Sequence, residues 1–161
     1  MVKKKLIIIM GISGSGKSTI GQLISKNISH PFLDADDFHS KENILKMSKG
    51  ISLDDDDRWP WLGAVVEYVI HSHRGVFVLA CSALKRSYRE YFEQKLNCRF
   101  YLLNLSKEEA ERRMNKRQGH FMKSQMVESQ LNTLEITDEI QIINGERPIE
   151  LILEEILQDL K

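Results

Sequence analysis

Short apolar runs alternate with amphipathic periods along this chain. Residues 5–10 form a continuous apolar stretch after a basic start, the pattern of a strand buried on both faces. Residues 17–27 follow as a helix. Pro31, Phe32 and Leu33 read as a second, shorter strand that ends at Asp34, and residues 41–48 read as a helix that stops near Gly50. Pro60 suits the first turn of another helix, in which Leu62, Val65, Val66, Val69 and Ile70 share one face. Residues 76–80 are a third apolar strand, and Leu84, Tyr88 and Phe92 space out the helix after it. Residues 100–105 are a fourth strand. Ser106-Lys107-Glu108-Glu109 has the form of a capping box that opens a helix carrying Arg112, Arg113, Lys116 and Arg117. Residues 139–143 are a fifth strand. Pro148 then starts a last helix whose Ile149, Ile152, Leu153, Ile156, Leu157 and Leu160 make one stripe.

Five apolar strands separated by helices predict one α/β domain over residues 1–161, a parallel sheet sandwiched between helices. Residues 115–135 break the pattern. They are polar, contain Gly119 and lack strong core periodicity, so they are a candidate lid between the fourth and fifth strands.

Composition narrows the class. With 42% hydrophobic and 29% charged residues, wholesale disorder is excluded. Twenty-three basic residues balance twenty-three acidic ones, so no global field draws the chain to nucleic acid or to an anionic membrane. No apolar run approaches the about 18 residues of a membrane span, and Leu6 to Met10 is too short for a signal peptide. Cys81 and Cys98 sit in apolar surroundings and read as free buried thiols of a reducing compartment, so the expected location is the cytoplasm.

The strongest chemical signal follows the first strand. Gly11-Ile12-Ser13-Gly14-Ser15-Gly16-Lys17-Ser18 meets every position of G-x-x-x-x-G-K-[ST], between a buried strand and a helix. The glycines let the backbone N–H groups turn inward as an anion nest, and the helix N-terminus adds its positive end. Lys17 supplies a cation to the β- and γ-phosphates, and the Ser18 hydroxyl is a Mg²⁺ ligand. The motif predicts nucleoside triphosphate binding but leaves the acceptor open.

In an open parallel sheet, ligands lie beyond the carboxyl ends of the strands. The second strand ends in Asp34-Ala35-Asp36-Asp37-Phe38-His39. Asp34 can serve the metal, because the third strand ends in Cys81-Ser82-Ala83-Leu84-Lys85 without a carboxylate. Asp36 can take a hydrogen bond or a proton from a substrate hydroxyl. The plainer reading of both is a polar turn, which is preferred for Asp37. Ser82, Lys85 and Arg89 open the next helix. Lys85 and Arg89, four apart, share a face and suit an anionic acceptor, against the plainer reading of ordinary surface charge. Asp54 to Asp57 lack EF-hand spacing and read as a solvated loop in which Asp57 helps cap the next helix, while Arg58 can point into the cleft. Arg113 and Arg117, also four apart, lie at the lid hinge, where arginines can stabilise a transferring phosphoryl group. His30, His71 and His73 show no ligand spacing, whereas His39 and His120 flank the acceptor region.

Nearly the whole chain resembles the gluconokinases, ATP:D-gluconate 6-phosphotransferases of the adenylate-kinase-like P-loop family. The phosphate loop through Thr19 is shared by many families. Cys81-Ser82-Ala83-Leu84-Lys85, Asp56-Asp57-Arg58-Trp59-Pro60-Trp61-Leu62 and Gly119-His120-Phe121 are much more specific, and Ser129-Gln130 and Leu134-Glu135 extend the match. Asp54 stands where Asn is common and Leu131 where Phe is common. The resemblance implies a three-layer P-loop NTPase fold with a five-stranded parallel sheet in the order 2-3-1-4-5, helices on both faces, a mobile lid and a homodimer. It implies that Gly11, Ser13, Gly14, Ser15, Gly16, Lys17, Ser18 and Thr19 bind ATP with Arg113 and Arg117, and that Ser18 serves Mg²⁺, beside the Asp34 inferred from its strand-end position. It implies that Asp36, His39, Arg58, Ser82, Lys85, Arg89 and His120 surround D-gluconate, with Lys17, Asp36 and Arg117 in the chemistry. The alternatives are a shikimate-kinase-like or other small-metabolite kinase and, from another class, a non-catalytic ATP-binding regulatory module. A nucleotide kinase fits less well, because the acceptor side mixes Asp, His, Lys and Arg.

Overall fold

Leu6 to Met10 leave no polar face, and all five side chains are buried in β1 (Lys5–Met10). The computed structural model describes residues 2–116 and 121–161. Among these, β1 is followed by α1 (Lys17–Ile28), β2 (Phe32–Asp34), a 3-10 turn (Ala35–Phe38), α2 (Lys41–Ser48) and α3 (Asp55–His71). Then come β3 (Val76–Ala80), α4 (Arg86–Lys95), β4 (Asn97–Asn104), α5 (Lys107–Asn115), α6 (Phe121–Thr133), β5 (Ile140–Asn144) and α7 (Ile149–Leu160). The sheet runs β2-β3-β1-β4-β5 with every pairing parallel, the expected order.

Strand alternation divides the core. Leu6, Ile8 and Met10 pack on one face with Leu62, Val65 and Val69 of α3 and Phe92 of α4. Ile7 and Ile9 pack on the other with Ile20 and Ile24 of α1 and Ile152 and Ile156 of α7. A third, smaller cluster lies at the carboxyl ends of the strands. There Val127 of α6, with Leu131 and Leu134 beside it, packs with Ile12, Leu84, Leu105, Ala110 and Met114. The segment expected to lack core periodicity thus holds a helix with a narrow apolar stripe, which is enough to seat it on the loops but not on the sheet.

Several boundaries differ from expectation. α3 starts before Pro60 because Asp54 is its N-cap, and Asp57 helps cap it as expected. The Asp54 carboxylate accepts from Asp57 N–H at 2.8 Å, and the Asp57 carboxylate accepts from Asp54 N–H at 3.1 Å, a reciprocal capping box. Pro60 therefore lies inside the helix. Pro148 caps α7 and does not begin it, and β4 starts three residues early, at Asn97. Cys81 and Cys98 are free thiols, the first buried and the second half-buried, and desolvation pushes both up to about 12.

Candidate active site

The loop from β1 to α1 turns through left-handed φ values at Gly11 (+148°), Gly14 (+82°) and Gly16 (+97°). A Cβ on Gly11 would lie 2.7 Å from Ser15 Oγ and 3.0 Å from the Leu103 carbonyl oxygen. Gly11→Ala is therefore expected to lower stability by about 2 kcal/mol, or roughly 6 °C in Tm, through backbone strain and overpacking. Thermal unfolding checks this, and an unchanged Tm would remove the steric reason for glycine.

The loop is built as an anion cradle. Lys17 Nζ donates to the Ile12 carbonyl at 3.0 Å, which folds the cation over the loop. Ser13 N–H donates at 2.7 Å to Oε1 of Gln130 on α6. Ser15 is only 3% exposed, and its Oγ has no partner among the described residues. At the mouth of the cradle, Ser18 Oγ donates to Asp34 Oδ2 at 2.8 Å, and Asp36 N–H donates to Asp34 Oδ1 at 3.0 Å. A hydroxyl and a carboxylate face to face are hard oxygen donors, the kind Mg²⁺ takes in small number beside phosphates and water. The residues present therefore fit an ATP phosphate chain with Mg²⁺.

Asp36 and Asp34 line the cradle together with Lys17, Ser18 and Thr19. Cys81, Ser82 and Gln130 line both this cleft and a second one, which also takes in Arg58, Lys85 and Tyr88. The two clefts thus share a wall at the end of β3. Arg58, Lys85 and Tyr88 form a polar side of the second, and Asp55 joins them from outside its lining. Arg58 Nη1 donates to Tyr88 Oη at 3.0 Å, Tyr88 Oη donates to Asp55 Oδ1 at 2.5 Å, and Lys85 Nζ reaches both Asp55 oxygens at 3.1 and 3.2 Å. Hydrogen bonds from Tyr88 and Lys85 hold the Asp55 carboxyl below its usual range, and the bond to Asp55 holds the Lys85 ammonium above its own. Burial, then the Asp55 bond, raises the Tyr88 phenol. At neutral pH the wall therefore holds an ammonium and a neutral phenol beside the guanidinium, with the Asp55 carboxylate bonded to them from outside the lining.

The sequence-predicted residues divide into groups. Lys17, Ser18, Asp34 and Asp36 meet at one cleft, and Arg58, Ser82 and Lys85 meet at its neighbour. His39 stands behind them. Its ring stacks on Trp61 at 4.2 Å, its Nδ1 lies 3.4 Å from the Asn43 amide, and its Nε2 lies 3.9 Å from Asp36. Burial lowers its pKa, so the ring is neutral at pH 7, and its approach to Asp36 is longer than a hydrogen bond. Arg113 bonds to Glu109 at 3.0 Å and to the carbonyls of Gly14, Ser15 and Gly145 at 3.4, 3.4 and 3.0 Å. It braces the carbonyl side of the loop, opposite in polarity to the N–H groups an anion takes. Arg117 and His120 lie outside the described residues.

Arg89 is a correction. It is 0% exposed and does not line the cleft. Nε donates to Glu139 (2.7 Å), Nη1 to the Ala83 and Leu84 carbonyls (2.6 and 3.0 Å), and Nη2 to the Glu135 carbonyl and Thr137 Oγ1 (2.5 and 2.9 Å). Its five donors are spent on the protein. The reason lies in local geometry. α4 begins at Arg86, and Lys85 is its extended N-cap, so the two cations do not share a helical face. Tyr88, Asp55 and Gln130 were missed by the reading of single residues. Tyr88 carries the spacing of a core position, and Asp55 stands in a run of four identical acids. Gln130 had a signal only in the Ser129-Gln130 match.

Comparison with known proteins gives the family. The shikimate kinase family profile matches residues 13–161. A gluconokinase of Gluconobacter oxydans is 37% identical over 98% of this chain and 92% of its own. The crystal structure of a gluconokinase from Sinorhizobium meliloti 1021 aligns with a TM-score of 0.87 and 40% identity, covering 99% of this chain and 93% of that one. The chain belongs to the gluconokinases, within the wider shikimate-kinase-like family. A shikimate kinase from Aquifex aeolicus shares the fold alone, with a TM-score of 0.61 and 19% identity over 96% of this chain and 95% of that one. The segments that carried the gluconokinase resemblance, around Arg58 and around Lys85, are the two that face each other through Tyr88 and Asp55.

Proposed function

We propose that this chain transfers the γ-phosphoryl group of ATP to the C6 hydroxyl of D-gluconate, giving 6-phosphogluconate and ADP. The observation that carries this reading is the shared wall: a phosphate cradle and a pocket with two cations meet at Cys81, Ser82 and Gln130. ATP and Mg²⁺ are its cofactors. Ser18 and Asp34 would hold Mg²⁺, which when bound neutralises charge on the phosphate oxygens. Lys17 and the loop N–H groups bind the phosphates, and Arg58 and Lys85 bind the gluconate carboxylate and orient the polyol. The bond from O6 to the γ-phosphorus forms as the β,γ-bridging bond breaks in line. Asp36 orients the hydroxyl and accepts its proton, while Arg117 from the lid stabilises the transferring group.

The experiment is ADP release from MgATP with D-gluconate, related aldonates, shikimate, glycerol and nucleoside monophosphates as acceptors. Release that requires D-gluconate is expected. The shikimate kinase family match favours shikimate as the second acceptor to try, and release with shikimate alone would overturn the gluconate reading. ATP binding without release for any acceptor would favour a regulatory module. Asp36→Asn is expected to lower kcat by about 10- to 100-fold, since a loose transition state asks less of a base. Wild-type turnover and gluconate KM in that variant would leave Asp36 neither role.

The remaining parts of the reading are one domain with a lid, a homodimer and a cytoplasmic setting, without nucleic acid or membrane as partner. The seat of α6 on Ile12 and Leu84 and the Gln130 bond to Ser13 support the lid. The free thiols support a reducing compartment. No helix among the described residues is long and apolar enough to cross a membrane. Light scattering on the purified protein tests the dimer.

A further inference from the structure

A pocket that receives an anion has no evident need of its own carboxylate, yet Asp55 stands between the pocket's two cations. Lys85 Nζ is 3.1 and 3.2 Å from its oxygens, and Arg58 Nη1 is 3.9 Å from Oδ1. Tyr88 donates to Asp55 at 2.5 Å and accepts from Arg58 at 3.0 Å, so one carboxylate fixes all three partners. Both cations also lie over the Tyr88 ring, at 5.6 and 5.8 Å from its centroid. The neighbouring acids have other work. Asp54 caps α3, and Asp57 closes the capping box and pairs with Lys46 at 2.8 Å. An acid in the first turn favours the helix dipole, but Asp56 and Asp57 already supply that, and the dipole does not explain the contacts across to α4.

The charge count follows. Arg58 and Lys85 contribute two positive charges and Asp55 removes one. The Asp55 side chain is 44% exposed but does not line the cleft, so it acts on the pocket through the charges of Lys85 and Arg58 that do. We propose that Asp55 is a specificity-determining residue that leaves the acceptor pocket one net positive charge, matching it to polyol acids with a single carboxylate and disfavouring dianions. This rests on reading the pocket as the acceptor site. Specificity here is a difference of affinities set by a built-in repulsive charge.

The test compares D-gluconate with D-glucarate, a six-carbon dicarboxylate that has no C6 hydroxyl to phosphorylate. Calorimetry gives the ratio of their dissociation constants, so turnover is not needed. Asp55→Asn is expected to shift the ratio about fivefold toward glucarate, the size of one partly screened unit charge. Asp55→Glu should keep the wild-type ratio within about twofold on the same ground. Asp55→Ser should shift it the same way, and it carries the test if the asparagine variant does not fold. A ratio unmoved in a folded Asp55→Asn or Asp55→Ser variant would overturn the charge role, even with both acids bound and gluconate phosphorylated. Loss of gluconate-dependent ADP release by the wild type, with the ratio shifting as expected, would overturn the proposed reaction and leave the charge role intact. Binding of neither acid to the wild type would overturn both.

Discussion

Lys17→Ala is expected to lower kcat/KM for MgATP about a thousandfold, or roughly 4 kcal/mol of transition-state stabilisation, with Tm little changed. Lys17 is the first residue of α1, just after Gly16 with φ +97°, and its Nζ already lies 3.0 Å from the Ile12 carbonyl. The side chain is thus held over the loop before any phosphate arrives, and its charge needs little reorganisation as the γ-phosphoryl group leaves. The backbone N–H groups and the helix end remain in the variant, so ATP binding should weaken much less than turnover does. Lys17→Arg should restore little, because a bulky planar guanidinium does not reproduce a compact ammonium in a turn this tight. Steady-state kinetics with gluconate saturating, beside thermal unfolding, make the check. Full activity in the alanine variant would dismiss the loop as the phosphate site, and a large fall in Tm would mean that the lysine supports the fold.

The parts of this molecule legible in its sequence are those where one local rule decides. A central strand buried on both faces must be apolar throughout, so β1 and β3 stand out as runs. The phosphate loop is legible because its backbone geometry restricts residue type at three glycines. The four consecutive aspartates show the opposite case. Asp54 caps, Asp55 holds Lys85 and Tyr88, and Asp57 pairs with Lys46, yet nothing local distinguishes them. The roles of Asp55 and Asp57 toward Lys85, Tyr88 and Lys46 come from partners more than ten residues away. The Lys85 and Arg89 pair read by helical spacing fails at a helix end: Lys85 precedes α4, so a spacing of four does not place Arg89 beside it on one face. The apolar stripe of α6 was too narrow to register as periodicity, because it meets loops and not the sheet.

Arg89→Met is expected to destabilise the fold by about 3–5 kcal/mol, roughly 10 °C in Tm. The guanidinium joins the loop after β3 to the segment between α6 and β5, holding the carbonyls of Ala83, Leu84 and Glu135 as well as Thr137 and Glu139. Ala83 has a φ of +46°, a strained turn for a residue with a Cβ, and the Arg89 bond to its carbonyl helps hold it. Methionine fills most of the volume, so the loss comes from orphaned acceptors and from Glu139, whose side chain is only 13% exposed. Arg86 also pairs with Glu139 and keeps it from being wholly uncompensated. The double variant Arg89→Met/Glu139→Gln should therefore recover part of the loss. Acid supplies an independent reading. Burial pushes the Glu139 carboxyl up, but hydrogen bonds from Thr137 and Arg89 outweigh it and hold the pKa at about 2, against a usual 4.5. Because the folded value is the lower one, this contribution is present above pH 4.5 and fades as the pH falls toward 2. The deficit of Arg89→Met, measured by denaturant unfolding, should accordingly shrink across that window as Glu139 takes up its proton in both proteins. A deficit that stays constant through it would assign the effect of Arg89 to the carbonyls it holds and not to its ion pair.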